Sequence, residues 1–376
     1  MNKLIAAVAL AAMAAGCSSA SNPAETPLSP VAAAAPTVTP QSGGTSATAV
    51  PRRAVVIGSK DPVVGVNLYA VHDYTAAQTA ADGERTLAYI KDDLHANAVA
   101  LVWNLYTADD SSDSVTASQA DTLPASGIAV LTQIAQQDGL LVEYRPVLFV
   151  ETPGNVWEGK VKPADSSVWF DSYYQANLPY LEVAQQYHIA EYVIGTEMSD
   201  LALDPQWPAF LARSAGVFQG QISFTADDKR YFPPLTQLPP TQLTGVDMYE
   251  SLRVASSASL ATVAAVYEAY FAEMPSSLLQ RTAIQETGIE ARFCAYADPP
   301  NLERTGPLDE AIQYNWFMAG CETVKRFHLR GIFFWKVDLA DYPLTRPAST
   351  LSTFEGRSGA VAISKCASII GSLRKC

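Results

Sequence analysis

Glu197 and Glu286 are the two side chains whose setting points to chemistry. Glu197 closes Tyr192-Val-Ile-Gly-Thr-Glu197, a short apolar run that gives way to a polar loop. Glu286 closes Thr282-Ala-Ile-Gln-Glu286 and is followed by Thr287-Gly288. Both patterns read as a buried strand leaving the core at a carboxyl, where an α/β barrel carries its reacting groups. Two carboxyls on separate strand ends can flank one bond, one giving a proton while the other attacks or accepts one.

That pairing suits glycoside hydrolysis. One carboxyl protonates the leaving oxygen, the other serves as nucleophile or base, and retention of configuration requires them ~5–5.5 Å apart. The aromatic residues follow the same geography. Trp103 and Asn104 end a second strand, Trp157 lies after a third, Tyr249 follows a sixth and Trp335 ends an eighth. Sugar rings have apolar faces that stack on aromatic planes, so these residues are expected to contact a saccharide. Arg145 and Lys336 are expected to hydrogen-bond its hydroxyls or orient a carboxylate, although Arg145 could instead neutralise Glu143 or Glu151. Tyr173, Tyr174, Trp316 and Phe317 fall inside helical patterns and are expected in the core.

The positioning elements are short apolar runs alternating with helical periodicity. Strands are expected at Val63–Tyr69, Ala98–Trp103, Leu140–Val150, Tyr192–Ile194, Gln221–Thr225, Gly245–Met248, Thr282–Gln285 and Gly331–Phe334. Helical faces are marked by Leu87, Ile90 and Leu94, then by Ile128, Leu131 and Ile134, then by Leu178, Leu181 and Tyr187 with Asp171-Ser172 as cap. Further helices are expected over Leu260–Phe271, Leu308–Phe327 and Val361–Leu373. Eight strands, each followed by a helix or by room for one, define an α/β fold, a single (β/α)8 TIM barrel over residues 51–376. The proline-rich Tyr231–Pro240 segment interrupts that order and is expected to be a loop over the barrel mouth.

A net charge of −13 over 376 residues argues against a nucleic-acid or anionic-membrane surface. At the start of the chain, Lys3, the apolar Leu4–Ala15 and Ala14-Ala-Gly-Cys17 resemble a bacterial lipoprotein signal at residues 1–16, with Cys17 as the acylated residue. Ser18 resembles the outer-membrane sorting pattern, so an exported, lipid-anchored protein is expected. Residues 17–50, rich in Ala, Ser, Thr and Pro, read as a flexible tether. Four cysteines remain beyond Cys17, and proximity along the chain favours Cys294–Cys321 and Cys366–Cys376. With no C-x-x-C and scattered histidines, a zinc site is not expected. The serine-hydrolase, zinc-protease and phosphate-loop patterns are also missing from the sequence.

A family resemblance rests on Gly65-Val-Asn-Leu68, Trp157-Glu-Gly-Lys-Val161, Trp169-Phe-Asp-Ser-Tyr173, Ile194-Gly-Thr-Glu197, Gly245-Val-Asp-Met-Tyr249, Gln285-Glu-Thr-Gly-Ile289 and Gly331-Ile-Phe-Phe-Trp335. In order and spacing these blocks, spread over residues 62 to 340, resemble the family-113 glycoside hydrolases. Those are retaining (β/α)8 enzymes of the large two-glutamate clan, best known as β-1,4-mannanases. The resemblance implies Glu197 as acid/base, Glu286 as nucleophile, Tyr249 as a hydrogen-bond partner of the nucleophile and Trp335 as a platform beneath the sugar. It implies a polysaccharide or oligosaccharide substrate and no metal or organic cofactor. Arg145-Pro146 stands where the family usually has Lys-Pro. Val147, Leu148 and Phe149 replace the His and Asp that commonly follow, and Asp227-Asp228 replaces an Asn-Trp pair. These departures leave room for a related β-linked exopolysaccharide as substrate, or for a non-catalytic carbohydrate-binding scaffold.

Overall fold

A computed structural model describes residues 62–372, apart from 73, 118–120, 153–155, 229–237, 273, 302–305 and 340–352. The signal segment, Cys17, the tether and most of the proline-rich loop lie outside the described residues. Eight parallel strands close into a barrel in chain order. They are β1 (Val63–Tyr69), β2 (Ala98–Thr107), β3 (Leu141–Val150), β4 (Glu191–Thr196), β5 (Gln221–Asp227), β6 (Leu243–Asp247), β7 (Thr282–Thr287) and β8 (Gly331–Asp338). Around them lie α1 (Ala76–Ala88), α2 (Ala125–Gln137), α3 (Ser166–Gln186), α4 (Trp207–Val217), α5 (Leu260–Ala269), α6 (Glu310–Phe327) and α7 (Ser358–Ser372). The architecture is the (β/α)8 barrel expected from the alternation of apolar runs. Among the described residues no helix is long and apolar enough to cross a membrane.

Local chemistry accounts for the helix starts. Thr75 and Gln78 form a reciprocal capping box at α1, and Ser259 accepts the Thr262 amide at the start of α5. The cap of α3 is Asp165, which accepts the amides of Ser167 and Val168 at 3.0 and 3.2 Å. The expected cap, Asp171-Ser172, instead lies within α3, because the helix begins more than a turn earlier. Tyr173, Trp316 and Phe317 are buried and Tyr174 packs against the core from its edge, as helical periodicity required.

Side-chain alternation divides each strand between two cores. On β2, Val99, Leu101, Trp103 and Leu105 face outward into the large core shared with the helices. Ala98, Ala100 and Val102 face inward and join Val63, Ala190 and Phe333 in a small internal cluster. Most remaining inward positions are polar, among them Glu143 and Arg145 on β3, Glu191 on β4, Ser223 and Thr225 on β5, Asp247 on β6 and Gln285 on β7. All are nearly or wholly buried.

Three strands break the alternation. Val193 and Thr196 of β4 pair with Ser223 and Thr225, so β4 carries one extra residue. Ile284 and Glu286 of β7 pair with the consecutive Val246 and Asp247, making Gln285 the extra residue there. On β8, Phe334 and Val337 pair with Val66 and Leu68, and the extra residue falls at the cis-linked Trp335-Lys336. The β1–β2, β2–β3, β3–β4 and β5–β6 pairings show no such shift. A bulge bends its strand and re-aims a side chain. Here the bulged strands are those that carry Glu197, Glu286 and Trp335.

One correction concerns the covalent link. The disulfide joins Cys321 on α6 to Cys366 on α7, and Cys294 is a free, exposed thiol. Chain proximity misleads because α6 and α7 pack side by side on the barrel, with Cα atoms of the two cysteines 5.6 Å apart.

Candidate active site

Glu286 sits on β7 with only 4% of its surface exposed. Three donors converge on its carboxylate. Tyr249 donates its hydroxyl to Oε1 at 2.7 Å, Tyr69 donates to Oε2 at 3.3 Å, and Nη2 of Arg145 lies 3.2 Å from Oε2. Arg145 also binds Asp247 at 2.5 Å and donates from Nη1 to the Gln285 carbonyl at 2.9 Å. Burial opposes the charge of Arg145, but Asp247 and Glu286 outweigh it and hold the guanidinium firmly protonated. Burial, reinforced by the charge of Glu286, raises both Tyr69 and Tyr249 well above the usual phenol range, so both stay donors. The set presents three donors to the two carboxylate oxygens of Glu286.

Glu197 follows β4 immediately and is 1% exposed. Its φ of 51° places a non-glycine residue in the left-handed region, and its amide donates to the Thr225 carbonyl on β5 at 2.8 Å. Trp157 donates its indole N–H to Oε2 of Glu197 at 2.7 Å. A Cβ at residue 159 would lie 2.4 Å from the Trp157 ring, so glycine is required for the indole to fold back there. The Gly159 carbonyl in turn accepts the Asp200 amide at 3.0 Å, tying the turn after β3 to the loop after β4.

Between Trp157 and Gly159 lies Glu158, a buried carboxyl that sequence reading did not single out. Burial first, then the negative charge of Glu286, pushes its pKa up to about 8. On β8, Lys336 bonds Asp338 at 2.8 Å, and its ammonium stands 4.9 Å from the Tyr69 ring centre and 5.3 Å from that of Trp335. Trp335 donates its N–H to the Tyr69 hydroxyl at 3.1 Å. Tyr69 therefore links Trp335 to Glu286.

The sequence of glycoside hydrolase family 113 is matched over residues 69–354. The chain belongs to glycoside hydrolase family 113. Solved structures agree in fold. The β-mannanase AaManA from Alicyclobacillus acidocaldarius in complex with ManMIm superposes with a TM-score of 0.68 at 16% identity, covering 83% of this chain and 99% of that one. A complex of a family-113 β-1,4-mannanase gives 0.67 at 14% identity, covering 82% and 99%. A GH5_18 protein from Streptomyces cattleya in complex with GlcNAc gives 0.54 at 15% identity, covering 83% and 81%. Among curated proteins nothing matches the sequence.

In this family-113 glycoside hydrolase, two expected sugar contacts are placed elsewhere. Trp103 is wholly buried in the outer core, stacked on Tyr180 of α3 at 4.3 Å and edge-on to Tyr144 and Tyr192. It sits on the outward face of β2, one residue out of phase with the barrel interior, and so is not a sugar platform. Its neighbour Asn104 has the inward parity and bonds the Tyr106 hydroxyl at 3.3 Å. Arg145 also has no exposed surface. It pairs with Asp247 and Glu286, and so orients a carboxylate, while Glu143 acts on it only as a further nearby charge. Trp157 and Tyr249 bond the two glutamates directly, while Trp335 and Lys336 stand against Tyr69, which bonds Glu286. Sequence reading missed Tyr69, Asp247 and Glu158. A signal for the second was available, since Asp247 is the one charged residue of the short run Leu243–Asp247, and buried charges are paired.

Proposed function

We propose that this family-113 enzyme is a retaining glycosidase acting on a mannan-like β-linked polysaccharide, with Glu286 as nucleophile and Glu197 as acid/base. The observation that carries the assignment is the convergence of Arg145, Tyr69 and Tyr249 on Glu286, which suits a carboxylate that must attack while ionised. Glu197 and Glu286 stand at the ends of β4 and β7, three strands apart round the closed barrel, a placement that supports two carboxyls facing one bond.

In the first step an oxygen of Glu286 bonds the anomeric carbon as the bond to the leaving oxygen breaks. Glu197 gives its proton to that oxygen, and a glycosyl ester of Glu286 forms. Water then enters and Glu197 takes its proton. The hydroxyl bonds the anomeric carbon, the ester bond breaks, and Glu286 returns as carboxylate with the original configuration restored. The mannanases AaManA and its family relative support the choice of sugar.

Digestion of a panel of β-linked polysaccharides, with product anomers followed by NMR, tests the reading. Release of β-anomers from mannan, together with loss of turnover by orders of magnitude in Glu197→Gln and Glu286→Gln, is expected. Wild-type-like hydrolysis by either variant removes that residue from the mechanism. The proposal extends to location. An N-terminal signal with Cys17 as acylation site makes this an exported, membrane-anchored lipoprotein, checked by incorporation of labelled palmitate that Cys17→Ser abolishes.

A further inference from the structure

Gln285 occupies the bulge in β7, and its side chain crosses the barrel beneath Glu286. The two N–H groups of its amide serve three acceptors, Glu191 on β4 at 2.8 Å, Ser223 on β5 at 3.2 Å and Glu143 on β3 at 3.3 Å, two of which share one N–H. Its amide oxygen accepts from Thr225 on β5. A bulge also leaves a backbone carbonyl outside the strand ladder. The carbonyl of Gln285 accepts from Arg145 on β3 at 2.9 Å and from Asn67 on β1 at 3.2 Å. One wholly buried residue is thus held from four other strands.

The surroundings are shaped for it. A Cβ at Gly245 on β6 would fall 1.8 Å from the Gln285 amide oxygen, so this strand gives up a side chain where Gln285 passes. Glu191 is paired with the buried Arg330, which anchors the acceptor of the shortest amide-nitrogen bond. Burial first, then the coulombic effect of Glu191, raises the Glu143 carboxyl well above the usual carboxylate range. Strict alternation would send Glu286 outward if Gln285 faces in. The extra residue lets both face the interior, and the bonds to Gln285 hold that arrangement.

We propose that Gln285 is a positioning residue, which fixes the bulge of β7 and thereby the line of approach of Glu286 to the anomeric carbon. The proposal rests on the reading of Glu286 as nucleophile. Its side chain touches no substrate and acts through the backbone it shares with Glu286 and through the Arg145 guanidinium that its carbonyl orients.

The test is the first-order rate at which 2-deoxy-2-fluoro-β-mannobiosyl fluoride, at saturation, labels Glu286, read by peptide mass spectrometry. A first-order constant does not depend on the fraction of molecules folded, so a merely destabilised protein leaves it unchanged. Gln285→Met, which keeps the volume and removes every amide bond, should label about 100-fold more slowly, the loss expected for ~1 Å of misplacement. Thr225→Val, which removes one donor to Gln285, should slow labelling in the same direction by about fivefold to tenfold, within that limit. Labelling by both variants within twofold of wild type overturns the proposal, whatever their melting temperatures. If Gln285→Met does not fold, the Thr225→Val rate alone decides. Wild-type protein that is not labelled at Glu286 overturns the underlying reading instead, so the two failures are distinguishable.

Discussion

The Nη2 atom of Arg145 lies 3.2 Å from Oε2 of Glu286, and both side chains are almost entirely withdrawn from solvent. The same nitrogen binds Asp247, so one cation serves two buried carboxyls. Removing one member of a buried charge set leaves the others uncompensated. Arg145→Met is therefore expected to cost about 3–5 kcal/mol of folding stability at neutral pH. Urea unfolding at pH 7 and pH 5 checks this. The deficit should shrink at pH 5, because burial already raises Asp247, which can take up a proton once the guanidinium is gone.

Tyr249 and Tyr69 donate to different oxygens of Glu286, at 2.7 and 3.3 Å. A hydrogen bond to a charged group contributes about 1.5–3 kcal/mol, or roughly 10- to 100-fold in rate if made fully in the transition state. Tyr249→Phe should lower kcat/KM within that range. Tyr69→Phe should lose less through Glu286 directly, but it also frees the indole N–H of Trp335. Steady-state kinetics of the two single variants and the double variant give the order.

Glu158 supplies a pH dependence with a definite sign. Its carboxyl is raised to about 8 in the folded protein, against about 4.3 in an unfolded chain. Between those values the native state holds a proton that the unfolded state releases, so stability falls as pH rises through this window. The full contribution is present below about pH 4 and is lost by about pH 8. Glu158→Gln mimics the protonated form and should flatten the slope, by a few kcal/mol in order of magnitude. Relative to wild type, its melting temperature should gain more at pH 8 than at pH 5. An equal difference at both values contradicts the assignment.

The Cys321–Cys366 link spans 45 residues and staples the last two helices. Closing a loop of that length is worth about 3–4 kcal/mol in the chain-entropy account. Reduction, or Cys366→Ser, should lower the melting temperature without altering kcat below the transition. Alkylation of the denatured, unreduced protein should modify Cys294 and spare Cys321 and Cys366.

The barrel was legible because its signal is redundant. Eight apolar runs, each bounded by polar turns, place the strands to within a few residues, and Val63–Tyr69 to the residue. The ends of β2 and β8 were read too short, since polar Asn104 and Lys336 interrupt runs that the sheet nevertheless continues. Trp103 was misplaced by phase. In a strand buried on both faces, apolar character does not distinguish inside from outside, so nothing in Ala98–Thr107 marks which alternate set faces the mouth. Arg145 was expected to orient a carboxylate and does so at Glu286, but that partner and Asp247 were not named, because they lie across the barrel and not beside it in sequence. Bulges cannot be counted from composition, and so the part played by Gln285 was invisible although the residue stands next to Glu286.

Glu197, Glu286 and Trp335 are presented by strands with irregularities, β4, β7 and β8, so the backbone that carries them belongs to the cylinder. Two connecting segments reach back to the same carboxyls, because Trp157 after β3 donates to Glu197 and Tyr249 after β6 donates to Glu286. On the proposed reading, exchanging either of these two segments would detune the pair.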